Sequence, residues 1–175
     1  VEGVWAAGDC CESYHLVSRE WVHLALGTVA NRQSRVAGIN LGGGAASFPG
    51  VLGTAVTRIC RTEIGRTGLT EAEAARAGLD AVAVTIEATN QAGYLPDAES
   101  MTVKMVAERG SGRLLGAQIV GGGASAKRID TIATALWNGM AVQDMIDVDL
   151  SYAPPLSPLW DPVIVAARQA ASAVA

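Results

Sequence analysis

The sequence predicts an α+β fold preceded by the tail of an α/β unit, and three observations carry the prediction. From about residue 50 onward, strand-like runs follow one another and helical patterns gather after them in the order ββαβββααα, which describes an antiparallel sheet with helices on one side. Before residue 50, a lone apolar run and a long helical pattern stand without the neighbouring strands that a buried parallel strand requires. Near the C-terminus, Pro154, Pro155, Pro158 and Pro162 fall within nine residues. Each proline fixes φ and removes a backbone donor, so this stretch can be neither a helix interior nor a central strand.

Taken in order, residues 3–7 (Gly-Val-Trp-Ala-Ala) read as a short buried strand that stops at Gly8-Asp9, where a ligand can approach its carboxyl end. Residues 12–20 are polar and read as a loop or a ragged helix start. From Trp21 to Leu41 apolar residues recur near helical spacing, and Gly42-Gly43-Gly44 ends the pattern. Leu52 to Cys60 is β-rich, with Arg61 to Arg66 as its hairpin partner. Thr70 to Arg76 reads as a capped helix with Thr70 at the N-cap, Glu73 three residues on and Gly78 just past the end. Ala81 to Glu87 alternates as a strand, and a loop around Tyr94 leads to a hairpin of Met101–Ala107 and Leu114–Val120 about a glycine-rich turn. A helix is predicted over about 124–138, a short one over 142–146 and a terminal one over about 162–173.

Composition bounds the function. A chain of 175 residues, half of them apolar and 17% charged, can bury a real core and excludes disorder. A net charge of −4 and no stripe of Lys and Arg argue against nucleic acid as a partner. Residues 36–57 carry no charge, yet six glycines and Pro49 within them break a continuous helix, so no membrane span is expected. Cys10, Cys11 and Cys60 form neither a zinc spacing nor a disulfide framework, which points to a reducing, cytoplasmic setting. The opening Val1-Glu2-Gly3-Val4 carries no signal peptide and reads as the middle of a protein.

Few motifs carry chemistry by themselves. Gly121-Gly122-Gly123-Ala124-Ser125-Ala126 fits a dinucleotide fingerprint, but it follows half of an antiparallel hairpin, so close strand-to-helix packing is the better reading. Lys127-Arg128 places positive charge at the positive end of a helix, which requires an anion or acidic partner nearby unless both simply face solvent. Asn31-Arg32-Gln33-Ser34-Arg35 is a run of donors that could clamp a phosphate or form an inter-subunit ion-pair face. His15 and His23 are too isolated for a metal set, and no metal site is expected. The proline loop either plugs its aromatics into the core or holds them in a fixed pose.

In order along the chain, six stretches add up to a resemblance: Gly3 to Cys10, Ala30 to Gly38, Gly53-Thr54-Ala55, Thr67 to Thr70, Lys127 to Asp130, and Leu150-Ser151-Tyr152-Ala153-Pro154-Pro155. Together they resemble the FAD/NAD-linked pyridine nucleotide-disulfide oxidoreductases, specifically the branch of coenzyme A-disulfide reductases and NADH oxidases or peroxidases.

The resemblance implies residues 1–48 as the remnant of an FAD-binding domain and 49–175 as a dimerisation domain, with the rest of the FAD site, the NAD(P)H domain and the redox cysteine upstream. It implies FAD and NAD(P)H as cofactors, a homodimer, and a thiol-disulfide small molecule such as coenzyme A disulfide as substrate. Gly8 and Asp9 then meet the ribityl chain of FAD, and Leu26 and Ala30 lie beside the flavin. Tyr152 and Tyr94 serve the thiolate of the partner subunit, in place of the His-Pro pair of glutathione-reductase-like members. Asn31, Arg32, Arg35, Lys127 and Arg128 meet substrate or interface anions. Two departures bear on substrate identity: Ser34 stands where the family usually has glycine, and Leu156 where an aromatic is common. An NADH oxidase or peroxidase of the same branch is the alternative, as is an inert dimerisation module if the chain acts alone.

Overall fold

The computed structural model describes residues 3–175. They form two compact units divided between Gly53 and Thr54. In the first, a minimal hairpin pairs β1 (Ser13–Tyr14) with β2 (Trp21–Val22), followed by helix α1 (Gly27–Leu41). Helical spacing placed Trp21 in the helix. It instead stands opposite Tyr14 with the two rings edge to face at 5.7 Å, the cross-strand aromatic pair that favours a strand. The predicted strand at residues 3–7 does not form. The described residues offer it no strand to pair with, and Val4 and Trp5 stay exposed.

The second unit is a five-stranded antiparallel sheet in the order β3-β4-β7-β6-β5. Its strands are β3 (Ala55–Ile59), β4 (Thr62–Gly68), β5 (Ala81–Thr89), β6 (Ser100–Glu108) and β7 (Leu114–Gly121). Helix α2 (Glu71–Arg76) links β4 to β5. Thr70 and Glu73 form the reciprocal box the sequence announces, and Gly78 follows the helix at φ +70°. A 3-10 turn (Ala126–Arg128) opens α3 (Ile129–Trp137), and α4 (Pro162–Ala173) closes the chain. Asp161 caps α4 by accepting the Val163 N–H at 2.8 Å, with Pro162 where its missing donor costs nothing.

Register explains the core. Gly65, Ile119, Val103 and Ile86 stand opposite one another across four strands and so share one face. A Cβ at Gly65 would come within 2.9 Å of the Ala126 carbonyl and 3.2 Å of Ile129 Cβ, so glycine is what lets the start of α3 lie on the sheet. Helix α3 packs on β7 and β4, and α4 on β5 and β6. Val103, Met105, Ile119, Ile129, Ile132 and Val163 are fully buried, each worth about 1.5–3 kcal/mol of transfer free energy.

No helix forms at 142–146. The segment is a chain of tight turns, with Asp144 accepting the Ala141 N–H and Val142 donating to Gly112, and these tertiary bonds take the donors a one-turn helix would need. Among the described residues, no helix is long and apolar enough to cross a membrane.

Candidate functional site

The proline loop is built as a clamped arch rather than a core plug. Trp160 is exposed with the Arg168 guanidinium 4.8 Å over its ring, and Tyr152 is 49% exposed. The buried members are Ser157, Pro162 and Val163. Leu156 and Ser157 both donate to the Ala153 carbonyl, which folds the arch at Pro154-Pro155.

One residue ties the arch to its surroundings. The Arg128 side chain is 11% exposed, and four of its N–H groups are used. Nε meets Asp161 at 3.1 Å, Nη1 donates to the Ala124 carbonyl at 3.0 Å, and Nη2 donates to the carbonyls of Asn90 at 2.8 Å and Leu156 at 3.0 Å. Ser157 Oγ also donates to Asp161. The loop that carries Tyr94 is joined to the arch a second time, since Ala92 donates to the Pro154 carbonyl at 2.9 Å. Tyr94 itself is 77% exposed.

Beside the arch lies a cleft of about 380 Å³ whose walls include Lys127, Arg128, Thr131, Ser151, Tyr152 and Leu156. Lys127 points outward, 77% exposed, with Asp130 as its ion-pair partner. The structure thus brings Tyr152, Lys127 and Arg128 to one cleft, while Arg128 is engaged by the protein itself. Chemically the cleft offers a phenol, an ammonium and hydroxyls, which suits an anionic, hydrogen-bond-accepting ligand.

The acidic company that Lys127 and Arg128 call for is present. Glu63 accepts the Ala126 N–H at 3.1 Å, and Glu99 accepts the Gly123 N–H at 2.7 Å while pairing with Arg61 at 3.0 Å. The Gly123 N–H, and then Arg61, hold the Glu99 carboxyl below its ordinary value. The glycine run is thereby filled by a carboxylate of the same chain and serves strand-to-helix packing.

In the first unit, Gly8 adopts φ +85° and its N–H is held by Gln33 Oε1 at 2.8 Å. Ala30 lies against it, for a Cβ at Gly8 would sit 3.4 Å from Ala30 Cβ. The next residue, Asp9, is exposed, and among the described residues its carboxylate has no partner. Leu26 and Ala30 are half-buried at the start of α1. Gly8 is thus a left-handed glycine fixed by a buried amide, next to an exposed carboxylate.

Asn31 and Arg35 are exposed on α1, whereas Arg32 stacks on Phe48 at 5.3 Å and reaches the Gly50 carbonyl. Gln33, read from sequence only as one of a run of donors, has a different role. It is buried, bonds both Gly8 and the Ser13 hydroxyl, and shares a face with buried Val29 four residues earlier. That spacing was the available signal. Cys10 and Cys60 are exposed, Cys11 is half-buried, and all three are free thiols.

Comparison with known proteins agrees with this architecture. The family model for the pyridine nucleotide-disulphide oxidoreductase dimerisation domain matches residues 54–162. An NAD(P)H coenzyme A polysulfide/persulfide reductase of Pyrococcus horikoshii is 44% identical over 96% of this chain and 38% of its own length. An NADH oxidase of Methanocaldococcus jannaschii is 35% identical over 97% of this chain and 38% of its own. The solved structure of an NAD-dependent persulfide reductase from A. fulgidus superposes with a TM-score of 0.94 at 42% identity, over 99% of this chain and 32% of that one. The chain therefore spans well under half the length of the relatives it matches. With the sheet order, the capped helices and the arch accounted for, the chain belongs to the family of pyridine nucleotide-disulphide oxidoreductases, as a carrier of its dimerisation domain.

Proposed function

We propose that these residues are the C-terminal part of an FAD-dependent, NAD(P)H-linked reductase of thiol disulfides or persulfides, most like coenzyme A-disulfide reductase. In this reading residues 1–48 complete a flavin site and residues 49–175 pair two copies in a reducing, cytoplasmic setting. The observation that carries it is the cleft that Tyr152, on the arch, shares with Lys127, in the 3-10 turn before α3.

The flavin, when bound, supplies the two-electron chemistry that links NAD(P)H oxidation to cleavage of the sulfur–sulfur bond. Gly8 and Asp9 would hold its ribityl chain, and Leu26 and Ala30 would line its ring. Tyr152 and Tyr94 reach the thiolate of the partner subunit. Their phenol hydroxyls donate hydrogen bonds to the thiolate sulfur and a proton to the departing thiolate, which leaves as the thiol. Lys127 attracts an anionic part of the substrate; Asn31, Arg32 and Arg35 on α1 are read separately as contacts for substrate or interface anions.

The test is Tyr152→Phe in the natural polypeptide that contains this sequence. NAD(P)H consumption with coenzyme A disulfide is expected to fall about tenfold or more. Unchanged turnover would remove the tyrosine from the chemistry. The Methanocaldococcus relative motivates a second reading, an oxidase. Consumption of NADH with oxygen alone, insensitive to added disulfide, would favour it.

A further inference from the structure

We infer that Arg128 is a positioning residue that sets the poses of Tyr94 and Tyr152 together, rather than a contact for substrate. The inference rests on the proposed role of the two tyrosines in disulfide reduction, and it assigns that role a device within this chain.

The geometry argues it in three steps. First, the guanidinium is used up by the protein. Its acceptors are the Asp161 carboxylate and the carbonyls of Ala124, Asn90 and Leu156, so four of its five N–H groups are engaged. Second, those acceptors lie on separate segments. Asn90 opens the loop that carries Tyr94, Leu156 lies four residues past Tyr152 on the arch, and Asp161 caps α4. One planar fork therefore fixes both tyrosine-bearing loops to the same helix. Third, neither tyrosine has a core anchor. Tyr94 is 77% and Tyr152 49% exposed, so their poses are inherited from the loops beneath them. The Ala92–Pro154 backbone bond ties the loops to each other, and Arg128 ties both of them to the start of α3 and to the α4 cap, which the arch also meets through the Ser157–Asp161 bond.

Lysine cannot replace this fork. An ammonium is a point charge with three donors on a flexible stem, and it cannot span a carboxylate and three carbonyls in one plane. Arg128→Lys is expected to keep the ion pair with Asp161 and release the Asn90 and Leu156 carbonyls. The two tyrosine loops then gain freedom while the sheet and helices persist.

The experiment reads the tyrosines directly. The natural polypeptide is labelled with fluorotyrosine, and the signals of Tyr94 and Tyr152 are assigned by their loss in Tyr94→Phe and Tyr152→Phe. In Arg128→Lys both signals are expected to shift or broaden, while that of Tyr14 stays in place. With coenzyme A disulfide as substrate, kcat is expected to fall about fivefold or more with KM changed less than twofold. Arg113→Lys, which loosens the Glu108 ion pair in the β6–β7 hairpin, serves as a control and should leave both tyrosine signals unmoved. If Arg128→Lys folds poorly, Asp161→Asn weakens the same fork while keeping an oxygen for the α4 cap, and the same two signals should move. Sharp, unshifted Tyr94 and Tyr152 signals in the folded variants would overturn the inference. So would a change confined to KM, which would make Arg128 a substrate contact. Failure of the catalytic reading gives a different result: activity survives in Tyr94→Phe and Tyr152→Phe although the signals still respond to residue 128.

Discussion

The Glu99 carboxylate accepts the backbone N–H of Gly123 at 2.7 Å, filling the glycine-rich turn between β7 and α3. Arg61 holds the same carboxylate at 3.0 Å, and Asn90 in turn accepts the Glu99 N–H at 2.9 Å. The Glu99 pKa is depressed, chiefly by the Gly123 N–H. A depressed carboxyl contributes stability that is present above its unfolded value, about 4.3, and lost as pH falls through the folded value. Glu99→Gln should therefore lower the thermal midpoint at pH 7, with the gap to wild type closing as pH drops below about 4. Melting curves across that range check it. A gap independent of pH would mean that the charge on Glu99 is not what holds the turn.

The capping box of α2 makes a second acid-sensitive element. Partial burial alone would raise the Glu73 carboxyl. Bonds from the Thr70 N–H, Arg66 and the Thr70 hydroxyl outweigh it and leave Glu73 below its ordinary value. Thr70→Ala removes the acceptor of the Glu73 N–H and is expected to cost about 1 kcal/mol in urea unfolding at pH 7. The Glu73 contribution is present above its unfolded value and fades as pH falls through its folded value. The cost of Thr70→Ala should accordingly shrink in acid.

Most of the second unit was legible because local and tertiary preferences agree there. The Thr70–Glu73 box, the Gly110–Gly112 turn and Pro162 after Asp161 each fix an element from its own residues, and α4 is bounded as its sequence suggests. The first unit was harder. Trp21 fits a helical period, yet its partner is Tyr14, and nothing in the spacing of residues 22–41 reveals that pairing. Residues 3–7 have strand composition without a strand to join. In the site, the type of Arg128 was legible but its use was not. The sequence gives no way to see that Asn90, Ala124 and Leu156 turn their carbonyls onto one guanidinium.

Gln33 offers a test in the first unit. Its amide accepts from Gly8 and donates to Ser13, and both its own group and the Gly8 N–H are buried. Gln33→Leu keeps the volume and orphans both partners, at an expected cost of about 1–3 kcal/mol. Flavin retention should fall with it, because the left-handed turn at Gly8 loses the bond that sets Asp9. Flavin absorbance per protein after gel filtration checks this. Full retention would separate the Gly8 corner from cofactor binding.

Two glycines of one hairpin should respond to substitution for different physical reasons. Gly110 has φ +76° at the β6–β7 turn and open space around the position of a Cβ. Its requirement is conformational, so Gly110→Asn, which tolerates the left-handed region, should change stability by less than about 1 kcal/mol. Gly116 has no such φ but stands opposite Gly68 in the β4–β7 ladder, where a Cβ would lie 2.2 Å from the Leu69 carbonyl oxygen and 2.4 Å from its nitrogen. Those are backbone atoms and cannot swing aside as a flexible side chain would. Relief of the clash must lengthen the Leu69–Leu115 bond, now 2.9 Å, and shift the chain just ahead of the Thr70 cap. Gly116→Ala is thus expected to cost about 3 kcal/mol, and because the strain reaches Thr70, adding Thr70→Ala should cost less in that background than in wild type. A double-mutant cycle in urea measures the coupling. Strict additivity would mean that the ladder absorbs the methyl group without moving the cap.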